Sequence, residues 1–380
     1  MAHALHYQKS PLDFASFFYA LAVAFLFFFL FYLYTQPQQA PQPDSVSASP
    51  QETGLSVLTP KAEASELASK PACAGRPNNY SCYHSYYRDL VREHGTQVAF
   101  EEIKLRAEKD SFVLSQCHPL THVIGQGAAE KFQDVSDAFA EGDSYCWSGY
   151  YHGIMEGIIG SIPPGELQSR LDSVCSKIPG KERYSFDYYN CVHGLGHGVM
   201  LINGNDLFKS LEYCDFLSGG WERASCWSGV FMENVIIDSR GEFTPYLKPE
   251  EPLYPCSAVK DAYKQTCYLM QSSYMLKVSN ESFARVFELC STADEKFVDT
   301  CYQSLGRDAS GRTSSDIART KANCMVGEDY RQRSNCFIGA VKDFISYHHG
   351  DTQAYALCDA LDAELQGVCR KTAESYYKIL

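Results

Sequence analysis

Cysteine restricts the fold of this chain more than any other residue type. The 380 residues include 16 cysteines, and the second half contains five cysteine pairs whose members lie eleven or twelve positions apart. The second cysteines of these pairs recur with a period of about 35 residues, which predicts stacked supersecondary units. The five predicted disulfides are Cys214–Cys226, Cys256–Cys267, Cys290–Cys301, Cys324–Cys336 and Cys358–Cys369.

Each unit has the pattern of a helix, a short polar turn and a second helix. Segments such as "FARVFELC" and "CFIGAVKDFI" repeat apolar residues at intervals of three and four, and no segment alternates like a strand. A disulfide would join the end of one helix to the start of the next, and neighbouring hairpins would bury each apolar face. The sequence therefore predicts an all-α fold, a helical-hairpin repeat solenoid stapled by disulfides.

The same register continues toward the amino terminus. Cys82 and Cys191 each have a nearby cysteine, whereas Cys117 and Cys146 have none, so we expect the latter two to bond each other. The three additional disulfides that we expect are Cys73–Cys82, Cys117–Cys146 and Cys175–Cys191.

With this pairing, residues 73–380 resemble tetratricopeptide-like helical repeats, in particular the secreted kind with one disulfide in each helix pair. The resemblance rests on the period and the cysteines, because the tetratricopeptide Trp/Leu/Gly/Tyr and Ala/Phe signature is absent. It implies an α-solenoid with a concave face and implies no particular activity.

One segment near the amino terminus is long and apolar enough to cross a membrane. Residues 14–34, "FASFFYALAVAFLFFFLFYLY", carry no charge and could span a ~30 Å hydrocarbon core as one transmembrane helix. A cleaved signal peptide is the alternative, but no small-residue cleavage site follows the segment. Lys9 biases residues 1–13 toward the cytoplasm as a short tail. The rest of the chain would then be periplasmic, extracellular or lumenal.

Composition divides the remainder into a linker and a domain. Residues 35–72 are rich in Pro, Gln, Ser, Ala and Glu and are predicted to be a disordered linker. Residues 73–380 are predicted to form an extracytoplasmic Cys-rich repeat domain, with a His-rich part at 82–235 and a repeat-only part at 236–380. The even cysteine number without CxxC favours disulfides in an oxidising compartment. The net charge of −13 argues against nucleic acid as a partner.

Histidines are concentrated in the first half of the repeats, where they are spaced by four. This spacing places two side chains on one helical face, one turn apart, in three successive units. Convergent imidazoles with a carboxylate are typical of transition-metal sites, and Fe, Cu and Zn all suit imidazole ligands. The predicted ligands are His118, His122, His152, Glu156, His193 and His197. Possible additional members are His84, Tyr151 as a contact to a substrate, and Glu233 as an outer partner.

These features support two hypotheses about function. The first is a membrane-anchored, extracytoplasmic metal-binding protein, more consistent with an enzyme than with a metal store, because an open position on the metal would activate water or dioxygen. The alternative is a helical-repeat scaffold with structural histidines that binds a peptide or protein partner. A small-molecule or peptide ligand is compatible with both hypotheses. Glycines in "HGLGHG" are consistent either with close helix packing or with space for a ligand.

Overall fold

The computed structural model describes residues 59–73, 79–132, 134–142, 144–237 and 244–377, which contain helices and no strands. A 3₁₀ turn covers Lys181–Arg183. In chain order the α-helices are α1 (Pro60–Ala68), α2 (Tyr80–His94), α3 (Thr96–Ala107), α4 (Ser111–Ser115), α5 (Cys117–Lys131), α6 (Val135–Phe139), α7 (Gly149–Ser161), α8 (Pro164–Val174), α9 (Phe186–Ile202), α10 (Leu207–Cys214), α11 (Gly220–Ile237), α12 (Asp261–Val278), α13 (Phe283–Ser291), α14 (Glu295–Gly311), α15 (Ile317–Met325), α16 (Tyr330–His348), α17 (Thr352–Asp359) and α18 (Ala363–Tyr377).

The long helices pack against one another in the order in which they occur along the chain. Contacts join α5 to α7, α7 to α9, α9 to α11, α11 to α12, α12 to α14, α14 to α16 and α16 to α18. Most of the shorter helices precede a long helix and pack against it, as α10 does on α11 and α13 on α14. This arrangement places side chains from many separate helices along one continuous inner face.

Disulfides hold the helix pairs together. The sixteen cysteines form eight bonds, and these are the same eight pairs that the sequence predicts. Their Cα–Cα distances lie between 5.4 and 6.0 Å, within the usual range for disulfides. In α11, α12, α14, α16 and α18 the bonded cysteine lies in the second turn. Eight disulfides indicate an oxidising, extracytoplasmic compartment.

Glycines bring consecutive long helices into backbone contact. A Cβ atom placed on Gly306 of α14 would lie 1.8 Å from the carbonyl oxygen of Cys336 on α16, and one on Gly339 would lie 1.8 Å from that of Gln303. Between α5 and α7, a Cβ atom on Gly153 would lie 2.0 Å from the carbonyl oxygen of His122. No side chain fits at these distances, so only glycine permits this approach. These glycines therefore serve close helix packing.

The glycines of "HGLGHG" have the same role. A Cβ atom on Gly196 would lie 2.2 Å from the carbonyl oxygen of Cys226, and one on Gly194 would lie 2.4 Å from Cγ of Met155. Both glycines therefore face neighbouring helices, and the structure favours packing over space for a ligand.

The repeats curve until their two ends meet. Trp147, just before α7, packs on Gly311 at the end of α14. The hydroxyl of Ser144 hydrogen-bonds Nε2 of His349, and the ring of His349 packs edge-on against Phe186 with centroids 4.5 Å apart. These contacts join residues that lie between 163 and 205 positions apart in sequence. The long helices therefore surround a central cavity.

The predicted linker requires a correction. Residues 60–68 form a helix, with Thr59 as its N-cap and Pro60 in its first turn, and Ala64 and Ala68 are buried. The guanidinium of Arg106 donates to the carbonyl oxygens at positions 67 and 70, which ties this helix to α3. The segment "PKAEASELA" has high helix propensity. This helix was not predicted, because the linker prediction used the average composition of residues 35–72.

The transmembrane prediction, the cytoplasmic tail and residues 35–58 of the linker lie outside the described residues. Among the residues that the structure describes, no helix is long and apolar enough to cross a membrane.

The glycine contacts generate a stability prediction. Gly306→Ala should lower the free energy of unfolding by about 2–3 kcal/mol, because its methyl group would overlap the backbone of α16. Gly367→Ala on α18 is the matched control: its Cβ atom would meet nothing within 4 Å, so it should be neutral or stabilise by up to about 1 kcal/mol. Thermal unfolding under non-reducing conditions measures both. Equal stability of the two variants would contradict the packing interpretation.

Candidate metal centre

Five buried histidines converge from three successive long helices. His118 and His122 lie on α5, His152 on α7, and His193 and His197 on α9, and none is more than 8% exposed. Their ring nitrogens form two triads that share His152, and the candidate ligand atoms in each triad lie within 4.8 Å of one another. The two triads are His118, His122 and His152, and His152, His193 and His197.

Hydrogen bonds made by their Nδ1 atoms orient the two histidines of α5. Nδ1 of His118 lies 2.7 Å from the carbonyl oxygen of Cys146, and Nδ1 of His122 lies 2.8 Å from Oε1 of Glu156. A carbonyl oxygen can only accept, and a carboxylate also accepts, so we infer that each Nδ1 carries the proton. Each Nε2 then presents a lone pair. The two Nε2 atoms face each other at 3.1 Å.

The histidines of α9 repeat this arrangement. Nδ1 of His197 donates to Oε2 of Glu233 at 2.6 Å. Nδ1 of His193 lies 2.7 Å from the hydroxyl oxygen of Ser228, which uses its own proton to donate to the carbonyl oxygen of Ser225. Ser228 therefore accepts from His193. The Nε2 atoms of this pair again present lone pairs, 3.3 Å apart.

Lone pairs at such distances repel unless a cation lies between them. Two imidazole nitrogens bound to one metal ion at ~2.0–2.1 Å each are separated by ~3 Å. The observed separations of 3.1 and 3.3 Å match this spacing. Each His-x-x-x-His pair therefore has the geometry of a chelate.

His152 occupies the centre of the cluster. Its ring stacks on that of His197 with centroids 4.4 Å apart and an interplanar angle of 14°. Its Nδ1 atom is buried and has no hydrogen-bond partner among the residues that the structure describes. Buried polar atoms in folded proteins almost always have a partner. His152 belongs to both triads, so this unsatisfied nitrogen is carried by the residue that the triads share.

Burial keeps the central imidazoles neutral. It holds the pKa of His152 and that of His193 well below the ordinary value of 6.5, and the neighbouring histidines lower both further. The pKa of His197 is also lowered by burial, although the Glu233 carboxylate opposes this effect. Neutral imidazole is the form that binds metal ions.

The two glutamates lie behind histidines rather than in front of them. Glu156, which the sequence suggests as a direct ligand, accepts from Nδ1 of His122 through one oxygen and from the amide of Gln126 through the other. Glu233 accepts from Nδ1 of His197. The oxygens of both can be grouped with the nitrogens of His122 and His197 within 4.8 Å. Their contacts are those of outer partners, which orient ligating histidines and raise their basicity.

The remaining candidates belong to neither triad. His84 is on α2, with its ring 6.1 Å from that of Tyr80, and belongs to neither triad. Tyr151 is buried against Phe139, with ring centroids 4.7 Å apart, and its hydroxyl donates to the carbonyl oxygen of Gly142. Tyr151 therefore contributes to packing in this structure.

His152 and His193 form part of the wall of a cavity of about 330 Å³, which we call the chamber. This volume is at the lower end of the range for small-molecule sites. Aromatic residues surround one side, and polar residues of α14 and α16 line another. The aromatic lining residues include Trp147, Tyr184, Phe186, Tyr189 and Trp221, and the polar ones include Gln303, Arg307, Lys342 and Asp343.

An unusual backbone conformation places Trp147 at the chamber. Cys146, Trp147 and Ser148 all have positive φ, between 54° and 61°. The same tetrapeptide, "CWSG", recurs at residues 226–229 within the regular helix α11, where Trp227 donates to Asp215 instead. Left-handed non-glycine residues are strained and are found preferentially at functional sites. The sequence predicts that Cys146 opens a helix, but α7 begins only at Gly149.

No family model matches this chain, and no curated protein or solved structure is significantly similar to it. The site must therefore be interpreted from its own chemistry.

Asp343 of the chamber generates a prediction about pH. Burial raises its pKa from 3.8 to about 6, and Asp308 adds to the effect while Arg307 opposes it. The folded protein then binds more protons than the unfolded chain between these two values, so stability falls as the pH rises through that window. Asp343→Asn should raise the free energy of unfolding above pH 6 by up to about 3 kcal/mol and should have little effect near pH 4.

Chemical denaturation at pH 4 and pH 7.5 measures this difference. Glu250→Gln, at an exposed position, is the control and should have no effect at either pH. A pH dependence that is identical in Asp343→Asn and the unchanged protein would contradict the assignment.

Proposed function

We propose that this chain is a membrane-anchored, extracytoplasmic metalloprotein in which a helical-hairpin repeat solenoid binds one or two transition-metal ions. One observation carries the proposal: the Nε2 lone pairs of two histidine pairs face each other at 3.1 and 3.3 Å, and both pairs group with His152, whose Nδ1 has no hydrogen-bond partner among the described residues. Cations between these nitrogens would remove the repulsion and satisfy the buried atom.

The donor set narrows the metal to ions that accept imidazole. All sixteen cysteines are paired, so no thiolate is available. Three imidazoles with one open position are the donor set of catalytic zinc, and iron and copper also bind imidazole. One ion would use either triad. A neutral imidazole has one lone pair, so with two ions His152 would serve one of them, and the other would be held by the remaining His-x-x-x-His pair.

The chamber favours an enzyme over a metal store. His152 and His193 are buried but line the cavity, so a metal held by them would have an open position toward a small molecule. A bound water or dioxygen at that position would be activated. The peptide-binding alternative is less well supported, because the inner face encloses a cavity of small-molecule size.

The metal can be measured directly. Elemental analysis of native protein should find one or two Fe, Cu or Zn ions per chain. His152→Ala should lose most of the metal because both triads contain this residue. His94→Ala, on α2 and outside the cluster, is the matched control and should retain the metal. Removal of the metal by a chelator should lower the melting temperature, because ligands that bind only the folded state stabilise it.

Glu233, which accepts a hydrogen bond from His197, provides a second test through the affinity for the metal. Glu233→Gln preserves the shape of the side chain but should weaken metal binding about 10- to 100-fold. Full metal content in His152→Ala, or metal that a chelator removes without any change in stability, would favour the scaffold alternative.

The proposed topology has its own test. A reporter fused to the carboxyl terminus should be active only in the oxidising compartment, because residues 14–34 would leave the rest of the chain outside the cytoplasm. Non-reducing peptide mapping should recover the eight disulfides. Free thiols in the native protein, or bonds between other repeats, would refute the compartment and the repeat framework together.

A further inference from the structure

We infer that the chamber binds a small molecule with an aromatic or apolar body and one anionic group, which Lys342 and Arg307 recognise opposite the histidines. The inference rests on the proposed function only in treating this molecule as a substrate of the metal centre. The anion site itself is argued from the repeat register, the charges and the lining of the chamber.

The repeat register relates the cations to the histidines. The position six residues after the repeat cysteine on each long helix faces the interior in several repeats, and four of these positions line the chamber. Along the chain this position changes from histidine to cationic residues. From α7 to α16 its occupants are His152, His197, Met232, Ser273, Arg307 and Lys342.

Lys342 is a cation in an apolar setting. Its ammonium donates to Oε1 of Gln303 at 3.0 Å and forms no ion pair with any residue that the structure describes. Burial lowers its pKa, which shows that the protein solvates the charge poorly. A partly buried charge without a counter-ion is costly. An anionic ligand in the chamber would offset this cost.

Arg307 lies on the same wall and is only partly neutralised. Its guanidinium donates to the hydroxyl of Ser273 at 2.9 Å and lies 3.4 Å from a carboxylate oxygen of Asp308. The other oxygen of Asp308 accepts from Ser273 at 2.6 Å. The positive charge of Arg307 lowers the pKa of His193, so the two side chains are within electrostatic range of each other.

Asp343 is the remaining charged group on this wall. Burial raises its pKa to about 6, so it is a weak competitor for the cations in mildly acidic solution. An anion bound at Lys342 would raise that pKa further.

Aromatic side chains form the apolar part of the chamber. Tyr184 stacks on Trp221 with centroids 4.4 Å apart, and Tyr184 and Trp147 are 41% and 40% exposed although both line the cavity. Such exposure is consistent with a mouth through which an apolar ligand enters. A ligand with its anion at Lys342 would place its other end toward His152 and His193.

Three small probes test the inference on the full chain. Benzoate and phenyl phosphate carry an aromatic ring with a carboxylate or a phosphate, and benzamide is the neutral counterpart of benzoate. Titration followed by tryptophan fluorescence should show saturable binding of at least one anion and much weaker binding of benzamide. The preferred probe then identifies the anion as carboxylate or phosphate.

Variants locate the anion site. Lys342→Met keeps the length of the side chain without its charge and should weaken anion binding about 10- to 100-fold. Lys342→Arg should retain binding of the anion, and Lys371→Met, at an exposed position on α18, should match the unchanged protein. Equal binding of benzoate and benzamide, unchanged binding in Lys342→Met, or no saturable binding of any probe would overturn the inference.

Titrations of chelator-treated and metal-loaded protein separate this inference from the proposed function. Binding that depends on Lys342 in protein that takes up no metal would support the anion site while the metal proposal fails. Protein that binds metal tightly but binds none of the three probes would overturn the proposed anion site and leave the metal proposal intact.

Discussion

Backbone contact between successive long helices is the constraint on which the rest of this structure depends. Where Gly125, Gly153, Gly196 and Gly229 meet a carbonyl oxygen of a neighbouring long helix, α5 approaches α7 and α9 approaches α11 more closely than any side chain would allow. This approach brings rings from three helices within ligand distance of one another. Disulfides preserve the pairing of each long helix with its preceding segment.

Desolvation determines the chemistry of the cluster. Burial lowers the pKa of His152, of His193 and of His197, because a charge on any of these rings would be buried beside other imidazoles. Hydrogen bonds from Nδ1 to a carbonyl, a hydroxyl and two carboxylates place the lone pairs of four histidines on their Nε2 atoms. The protein thus stabilises an arrangement of donors that fits a metal ion, and His152 and His193 of this cluster also line the chamber.

The sequence allowed the helical class, the cysteine pairs and the five histidines to be predicted, because each depends on a local spacing. Residues four apart share a helical face in any helix, and cysteines eleven or twelve apart are within reach whenever a short turn joins two helices. The average composition of residues 35–72 was a poorer guide to secondary structure than the local sequence of residues 60–68. Residues 60–68 were assigned to a linker although their own propensity and the contact with Arg106 make them a helix.

Local spacing along the chain therefore predicts most of the helices and which of their residues share a face. Which of those faces meet depends on how the helices pack. The same "CWSG" is left-handed before α7 and helical in α11, because Trp147 packs on Gly311 whereas Trp227 bonds Asp215. Likewise, Glu156 lies behind His122 because α7 packs directly on α5. Arg307 and Lys342 line the same chamber as the histidines because the repeats curve until residues 144 and 349 meet. The spacing of residues along one helix carries no information about that curvature, which arises from the summed angles of every helix contact.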